Sequence, residues 1–252
     1  MTTAVQDRTA EYPATLPLPV PMTQPAQLPE TLQLPVPVSF PEPADWQTPA
    51  FAPIHLPRPA AGGRAARAIK RGIDVAGALI GLLLALPVLL VAALAVRIEG
   101  GPGVIFRQQR VGQYGRLFTL YKLRSLKPAG DEGDVCWNID HDSRLGPVGR
   151  FIRRTSIDEL PQLVNVLKGD MSLVGPRPER PYYVAKFSRE VPGYADRHRV
   201  PVGLTGLAVV KGLRGDTSIA ERARVDNSYA DDWSLWLDLV VLVRTAIYLV
   251  KH

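Results

Sequence analysis

Two adjacent carboxylates, Asp158 and Glu159, sit in the densest run of reactive residue types in the chain, Arg153 to Arg180, RRTSIDELPQLVNVLKGDMSLVGPRPER. Apolar Leu160, Leu163, Val164 and Leu167 recur at helical spacing, so an amphipathic helix begins here. Where it begins decides what the acids do. Ser156 and Glu159 have the S-x-x-E spacing of a capping box, which would make both acids ordinary first-turn residues. Proline, however, prefers the first helical position, and if Pro161 takes it both carboxylates lie just ahead of the helix. There they would sit beside unpaired N–H groups, an end that attracts anions. With Arg153 and Arg154 close by, two such carboxylates can together hold a divalent cation and a phosphate. Spacing leaves both readings open, and capping is the more ordinary one.

Two other stretches offer cations. Lys122 and Arg124, in YKLRS, fall on one face if that segment is extended, as a phosphate clamp or as a solvated strand edge. In Gly175-Pro176-Arg177-Pro178, two prolines stiffen the backbone around one arginine. That lowers the entropy cost of holding its fork for a phosphate or carboxylate, although a rigid turn with an exposed arginine fits equally well. Zinc chemistry has no foothold: His55, His141, His198 and His252 are scattered, and Cys136 is the only cysteine. A lone cysteine also excludes a disulfide within the chain, which suits a reducing compartment.

The elements that must position these residues are uneven in character. Residues 1–60 hold 14 of the 24 prolines and carry a net charge of −3, whereas the remaining 192 residues carry +9. Alternating prolines discourage helix and sheet, so a disordered, partly polyproline-II tail is expected over 1–63. A cationic remainder suits an anionic partner. Val75–Val96 is 22 residues without a charge, VAGALIGLLLALPVLLVAALAV, long enough to span a bilayer as helix. Pro87 lies almost at its centre, and basic residues flank both ends: Arg64, Arg67, Lys70 and Arg71 before, Arg97 and Arg107 after. Positive charge marks the cytoplasmic side, so charge on both flanks favours a helix–kink–helix over 64–98 that dips in and returns; an ordinary kinked span is the alternative. Residues 99–252 read as a globular domain. VIFRQQRVG followed by RLFTLYKLRS alternates enough for two short strands or a strand and an irregular loop; a polar loop is expected over 129–146, and helices at 147–154, 160–168, 179–189 and 218–231. The final WSLWLDLVVLVRTAIYLV, interrupted by Asp238 and Arg244, reads either as an interfacial helix or as a helix closing the core.

Taken together, Lys70-Arg71 with Asp74, FRQQRVG, YKLRS, RRTSIDELPQLVNVLKGDMSLVGPRPE, GLTG, GLRGDTS and WSLWLDL resemble the bacterial sugar transferases. These are the monotopic phosphoglycosyl transferases that prime exopolysaccharide, capsule and glycan assembly. The resemblance covers about Ala68 to Val250. It implies an α/β, mostly α, membrane-associated domain: a re-entrant helix broken near its proline, and a cytosolic catalytic part resting on amphipathic helices at the bacterial inner membrane. It implies further that Asp158 is the nucleophile toward a UDP-sugar and that Glu159, with Asp158, holds Mg²⁺. Lys122, Arg153 and Arg177 match positions associated with substrate phosphates or nucleotide, and Arg124 joins them through its pairing with Lys122.

The implied reaction moves hexose-1-phosphate onto undecaprenyl or another polyprenyl phosphate and releases UMP, with UDP-glucose or UDP-galactose as donor. UDP-sugar, polyprenyl phosphate and membrane lipid are the expected partners, with no nucleic acid; downstream glycan-assembly proteins and a homodimer are further expectations. A sugar-only glycosyltransferase releasing UDP, or a non-catalytic membrane scaffold, are the alternatives. Four positions depart from the pattern: Leu86 stands where serine often precedes the proline, and Leu207, Val209 and Lys211 replace a frequent tryptophan, glutamine and asparagine.

Overall fold

The uncharged run becomes the middle of one long helix, α1, Arg64–Gly100, with Pro87 inside it. In this computed structural model residues 63–127, 144–215 and 217–251 are described, the last three through their backbone alone. They belong to one unit. The expected tail up to residue 62 and most of the polar loop, Cys136 included, fall outside the described residues.

Helix α1 runs continuously through Pro87, so the apolar membrane-suited helix is present and the break expected at the proline is not shown. A proline removes one helical hydrogen bond, and the leucine- and alanine-rich flanks carry the helix across. Only Lys70, Asp74, Ala78, Ala92 and Val96 are buried along it, in two groups spaced four residues apart. Between and around them Leu79, Ile80, Leu83, Leu84, Leu90, Val91 and Leu94 are exposed. Among the described residues this is the one helix long and apolar enough to cross a membrane.

Both ends of α1 are fastened to the same body. Near its start, the Lys70 ammonium meets the Asp238 carboxylate at 2.5 Å, and Asp74 accepts from the Ser172 hydroxyl and the Leu173 N–H. Arg71 donates to the carbonyls of Val166 and Leu167. Near its end, Ala92 and Val96 pack with Leu123 and Ile152.

The remainder is mostly helical, with two small sheets among the described residues. Strands β1 (Ile105–Val111) and β2 (Leu117–Leu123) form an antiparallel hairpin, registered from Ile105↔Leu123 to Val111↔Leu117. Its turn places Tyr114 at φ 55° and Gly115 at φ 80°. Helix α2, Pro147–Arg154, starts on a proline, and α3 covers Gln162–Lys168. Strand β3 (Ser172–Val174) pairs in parallel with β4 (Gly203–Thr205). Between them lies α4, Pro181–Glu190. Three helices complete the chain: α5 (Leu207–Val210), α6 (Ile219–Asp231) and α7 (Leu235–Lys251).

The central core joins Ala78 of α1, Phe118 and Leu120 of β2, Leu163 and Val166 of α3, Met171 and Val202. Helix α7 closes a second core through Val241, beside Tyr229 and Trp233, yet leaves Trp236, Leu239, Val243 and Ile247 exposed at helical spacing. It therefore closes the core on one side and keeps an apolar stripe on the other.

Candidate active site

Strand β2 delivers Lys122 to the site, and its place is fixed from α3. The Asn165 side chain accepts the Tyr121 N–H and donates to the Thr119 carbonyl, so it hydrogen-bonds β2 as a neighbouring strand would. Helix α2 brings Arg153 in its last turn. The chain then turns through Ser156 at φ 57°, a left-handed conformation that side chains seldom adopt, into a 3₁₀ turn at Ile157–Glu159. No side-chain cap forms at Ser156, and Pro161 precedes α3 as its N-cap rather than opening it. The capping-box reading therefore fails, and both carboxylates stand ahead of the helix.

Glu159 is tied on both oxygens. Its Oε1 accepts from Lys122 Nζ at 2.8 Å and Arg177 Nη2 at 2.5 Å, and its Oε2 accepts from Arg177 Nη1 at 3.2 Å. Asp158 is in the opposite condition. It is 7 % exposed, and among the described residues no side chain hydrogen-bonds to it. Burial raises its carboxyl to about 6; Lys122 opposes the rise, neighbouring Glu159 adds to it, and Arg153 and Arg177 oppose it further. Glu159 lies well below the ordinary carboxylate range, because Arg177 and then Lys122 outweigh its burial. Burial lowers the Lys122 ammonium despite Glu159, while Glu159 raises the Arg177 guanidinium. Two neighbouring acids thus acquire separate ionisation behaviour, an arrangement that lets them take separate roles.

Arg177 reaches this pair from a rigid arm. The Gly175 N–H donates to the Thr205 carbonyl, and the Gly203 N–H donates to that of Pro176. A Cβ on Gly175 would strike the Pro201 carbonyl, and one on Gly203 or Gly206 would strike the Gly175 main chain. Below the arm, buried Arg197 donates to the Arg177 carbonyl at 3.0 Å while pairing with Asp226 and Tyr194. Arg110 donates to the Pro178 carbonyl and lies 3.7 Å from Glu179, which also faces Arg222 at 3.6 Å. Burial lowers Arg110 to about 10.

The structure thus brings together Asp158, Glu159, Lys122, Arg153 and Arg177. It does not bring Arg124. Strand β2 ends at Leu123, and the Arg124 guanidinium turns back to the carbonyls of Gly100, Gly101 and Pro102, satisfying the end of α1. Arg110, Glu179 and Arg197 went unassigned in the sequence. Alternation in FRQQRVG would have set Arg110 on the face of Lys122, once the hairpin register was known. His198 is a core residue: burial lowers it to about 3, and its Nδ1 lies 3.2 Å from the Gly112 carbonyl.

For a metal, no group of three or more His, Cys, Asp or Glu side chains occurs among the described residues. Asp158 is the open carboxylate for Mg²⁺, which commonly takes one or two carboxylates and completes its shell with substrate phosphates and water; Glu159 would join it through Oε2, which accepts a single hydrogen bond. The four departures differ in their surroundings. Leu207 packs beside Trp233 and Val241, Val209 is buried, Lys211 is exposed, and Leu86 lies on the open side of α1.

A sequence profile for the family described as bacterial sugar transferase matches residues 65–252. The chain belongs to the bacterial sugar transferase family. Among its relatives in that family is a Caulobacter vibrioides UDP-glucose:undecaprenyl-phosphate glucose-1-phosphate transferase, 46 % identical over 180 residues, 70 % of this chain and 67 % of that protein. An Escherichia coli protein of the same name is 41 % identical over 183 residues, 71 % of this chain and 39 % of that one. An Aeromonas hydrophila UDP-N-acetylgalactosamine-undecaprenyl-phosphate N-acetylgalactosaminephosphotransferase is 42 % identical over 180 residues, 70 % of this chain and 42 % of its own length. The chain therefore spans about two thirds of the first relative's length and about two fifths of the other two.

Proposed function

We propose that this sugar transferase moves hexose-1-phosphate from a UDP-sugar to undecaprenyl phosphate, the first step in building an exopolysaccharide or capsule. The observation that carries this reading is the contrast between neighbours: Asp158 buried with no hydrogen-bonding side chain among the described residues, Glu159 bound on both oxygens by Lys122 and Arg177. An unpartnered carboxylate beside several cations is free to attack an anionic phosphorus. A carboxylate oxygen of Asp158 bonds to the β-phosphorus of the donor, the bond from that phosphorus to the bridging oxygen breaks, and UMP leaves. The acceptor phosphate then attacks the same phosphorus, the bond to Asp158 breaks, and the carboxylate is restored as the diphosphate-linked sugar forms. One hard displacement becomes two easier ones.

Lys122, Arg153 and Arg177 steady the phosphates. The Arg177 side chain is 41 % exposed, within reach of an arriving anion. Asp158 and Glu159 would hold Mg²⁺ together with donor phosphates, and the ion would supply charge neutralisation. Arg124 has no part in this.

The acceptor's place follows from the surface around the site. A cavity of about 570 Å³ opens between Pro87, Val91 and Ala95 of α1 and Pro147, Phe151 and Ile157 of the domain, one residue from Asp158. Its apolar walls suit a prenyl chain whose phosphate ends at Asp158. Helix α1 dips into one leaflet without crossing: support comes from its fastening at both ends to one body and from the basic residues at each flank. The stripe Trp236, Leu239, Val243 and Ile247 on α7 lies at the interface, and the catalytic domain faces the cytoplasm. Residues 1–63, 64–98 and 99–252 are accordingly tail, anchor and catalytic domain. Donor choice rests between UDP-glucose and UDP-galactose.

The test uses protein in detergent with each UDP-hexose, undecaprenyl phosphate and Mg²⁺. UMP should be released, and intact mass should gain a hexose-phosphate at Asp158 when acceptor is withheld. Release of UDP would replace this reading with transfer of the sugar alone.

A further inference from the structure

Glu99 ends α1 with an unusual task. Helix α2 begins after Gly146, which has no side chain to cap it. The cap comes from the membrane helix instead: the Glu99 carboxylate accepts the Val148 N–H at 3.1 Å and the Gly149 N–H at 3.3 Å, one on each oxygen. Gly146 leaves room for this, since a Cβ there would meet the Glu99 carboxyl carbon at 2.6 Å. Immediately beyond Glu99, Arg124 holds the carbonyls of Gly100, Gly101 and Pro102, so the exit of α1 is fixed from both sides.

The two ends of α2 are secured differently. Its far end carries Ile152, buried among Ala92, Val96 and Leu123. Its near end is capped by Glu99, with Val148 also packed against that cluster, and Pro147 and Val148 line the cavity together with Pro87, Val88 and Val91. The carboxylate therefore sets the spacing of α1 and α2 across the cavity mouth.

We infer that Glu99 is a positioning residue that fixes the width of the apolar cavity and so governs selection of the acceptor's hydrocarbon chain. This rests on the proposed reading that the cavity holds that chain. Glu99 itself touches neither substrate. Without it the near end of α2 frays while Ile152 keeps Arg153 in place, so the acceptor step suffers and the donor step does not.

The experiment compares kcat and KM for undecaprenyl phosphate and a short-chain prenyl phosphate in detergent, beside UMP release in the absence of acceptor. Wild type is expected to favour the longer chain; equal use of both would sink the cavity reading itself. Glu99→Ala should raise KM for undecaprenyl phosphate roughly fivefold, about the value of one helix cap, and lose most of the chain-length preference. UMP release without acceptor should be unchanged, which also reports an intact fold. Glu99→Gln, which keeps one acceptor oxygen, should recover part of the preference.

Glu99→Ala with Gly146→Ser restores a cap to α2 but not the link to α1. It should regain thermal stability without regaining the preference. If that double variant recovers the preference, or if Glu99→Ala retains it, the inference is wrong.

Discussion

Two charged clusters of similar composition behave as opposites in this molecule. The first joins Lys70, Asp238, Tyr229 and Trp233 where α1 meets α7: Asp238 Oδ2 takes Lys70 at 2.5 Å and the Trp233 N–H at 3.3 Å, and its Oδ1 takes the Tyr229 hydroxyl at 2.6 Å. Both carboxylate oxygens are paired, and burial followed by Asp238 pushes the Tyr229 hydroxyl far up, out of any physiological range. The second joins Asp158, Glu159, Lys122 and Arg177, and there one carboxylate is satisfied while its neighbour is not. Both use a lysine and an acid, but the first is buried throughout, whereas the second opens to solvent at Arg177, 41 % exposed. The difference teaches that the proposed reactive cluster departs from the structural one in two ways, an acid that no described side chain hydrogen-bonds and a guanidinium open to solvent.

The largest test of that contrast is Asp158→Asn. Turnover should fall on the order of 10⁴-fold or more, as for loss of other nucleophiles, with the covalent adduct absent from mass spectra. The fold should gain. A carboxyl raised to about 6 is stable in its protonated form and costs stability once pH passes that value. At pH 8 the asparagine variant should therefore melt a few degrees higher than wild type by calorimetry.

Asp238→Ala should do the reverse. It strands the Lys70 ammonium beside Asp74 at 3.8 Å with its main partner gone. Stability should drop by about 3 kcal/mol, as when one member of a buried pair is removed. Chemical denaturation measures it, while the covalent adduct should still form in whatever fraction stays folded.

A pH series sharpens the comparison. In the proposed mechanism Asp158 attacks as the carboxylate, so the rate of UMP release should fall as pH drops through about 6, tenfold per unit below it. Added Mg²⁺ should move this limb to lower pH, since a nearby cation favours the ionised acid. An unmoved limb would detach the ion from the carboxylates. The smallest effect belongs to Arg124→Ala. Loss of the carbonyl clamp should lower the melting temperature slightly, by about 1 kcal/mol of stability, and leave KM for the UDP-sugar unchanged. A raised KM would return Arg124 to the site.

Local signals were legible where local physics decides. Helix α2 begins at Pro147 and ends at Arg154, as its spacing predicts, and α6 starts from Ser218, whose hydroxyl accepts the Glu221 N–H in the capping geometry expected of such a sequence. The same spacing at Ser156 and Glu159 misled, because Ser156 takes a left-handed backbone that points the chain into the site. Long-range geometry was not legible. Nothing in YKLRS tells that the strand stops at Leu123 and that Arg124 serves α1. Nothing in ADRHRV tells that Arg197 lies buried beneath Arg177. Most of the candidate site residues lie in the single stretch from Arg153 to Arg177 and could be read, with Lys122 joining from β2, whereas their foundations come from β1, α3, α6 and the turn before β4.

The three glycines at 175, 203 and 206 carry a last consequence. Where main chain touches main chain, no side chain can be trimmed or enlarged to adjust a fit, so the pivot under Arg177 is fixed in length. A change in ligand fit would therefore have to come from the residues facing the ligand, since a Cβ at any of these three glycines would strike main chain.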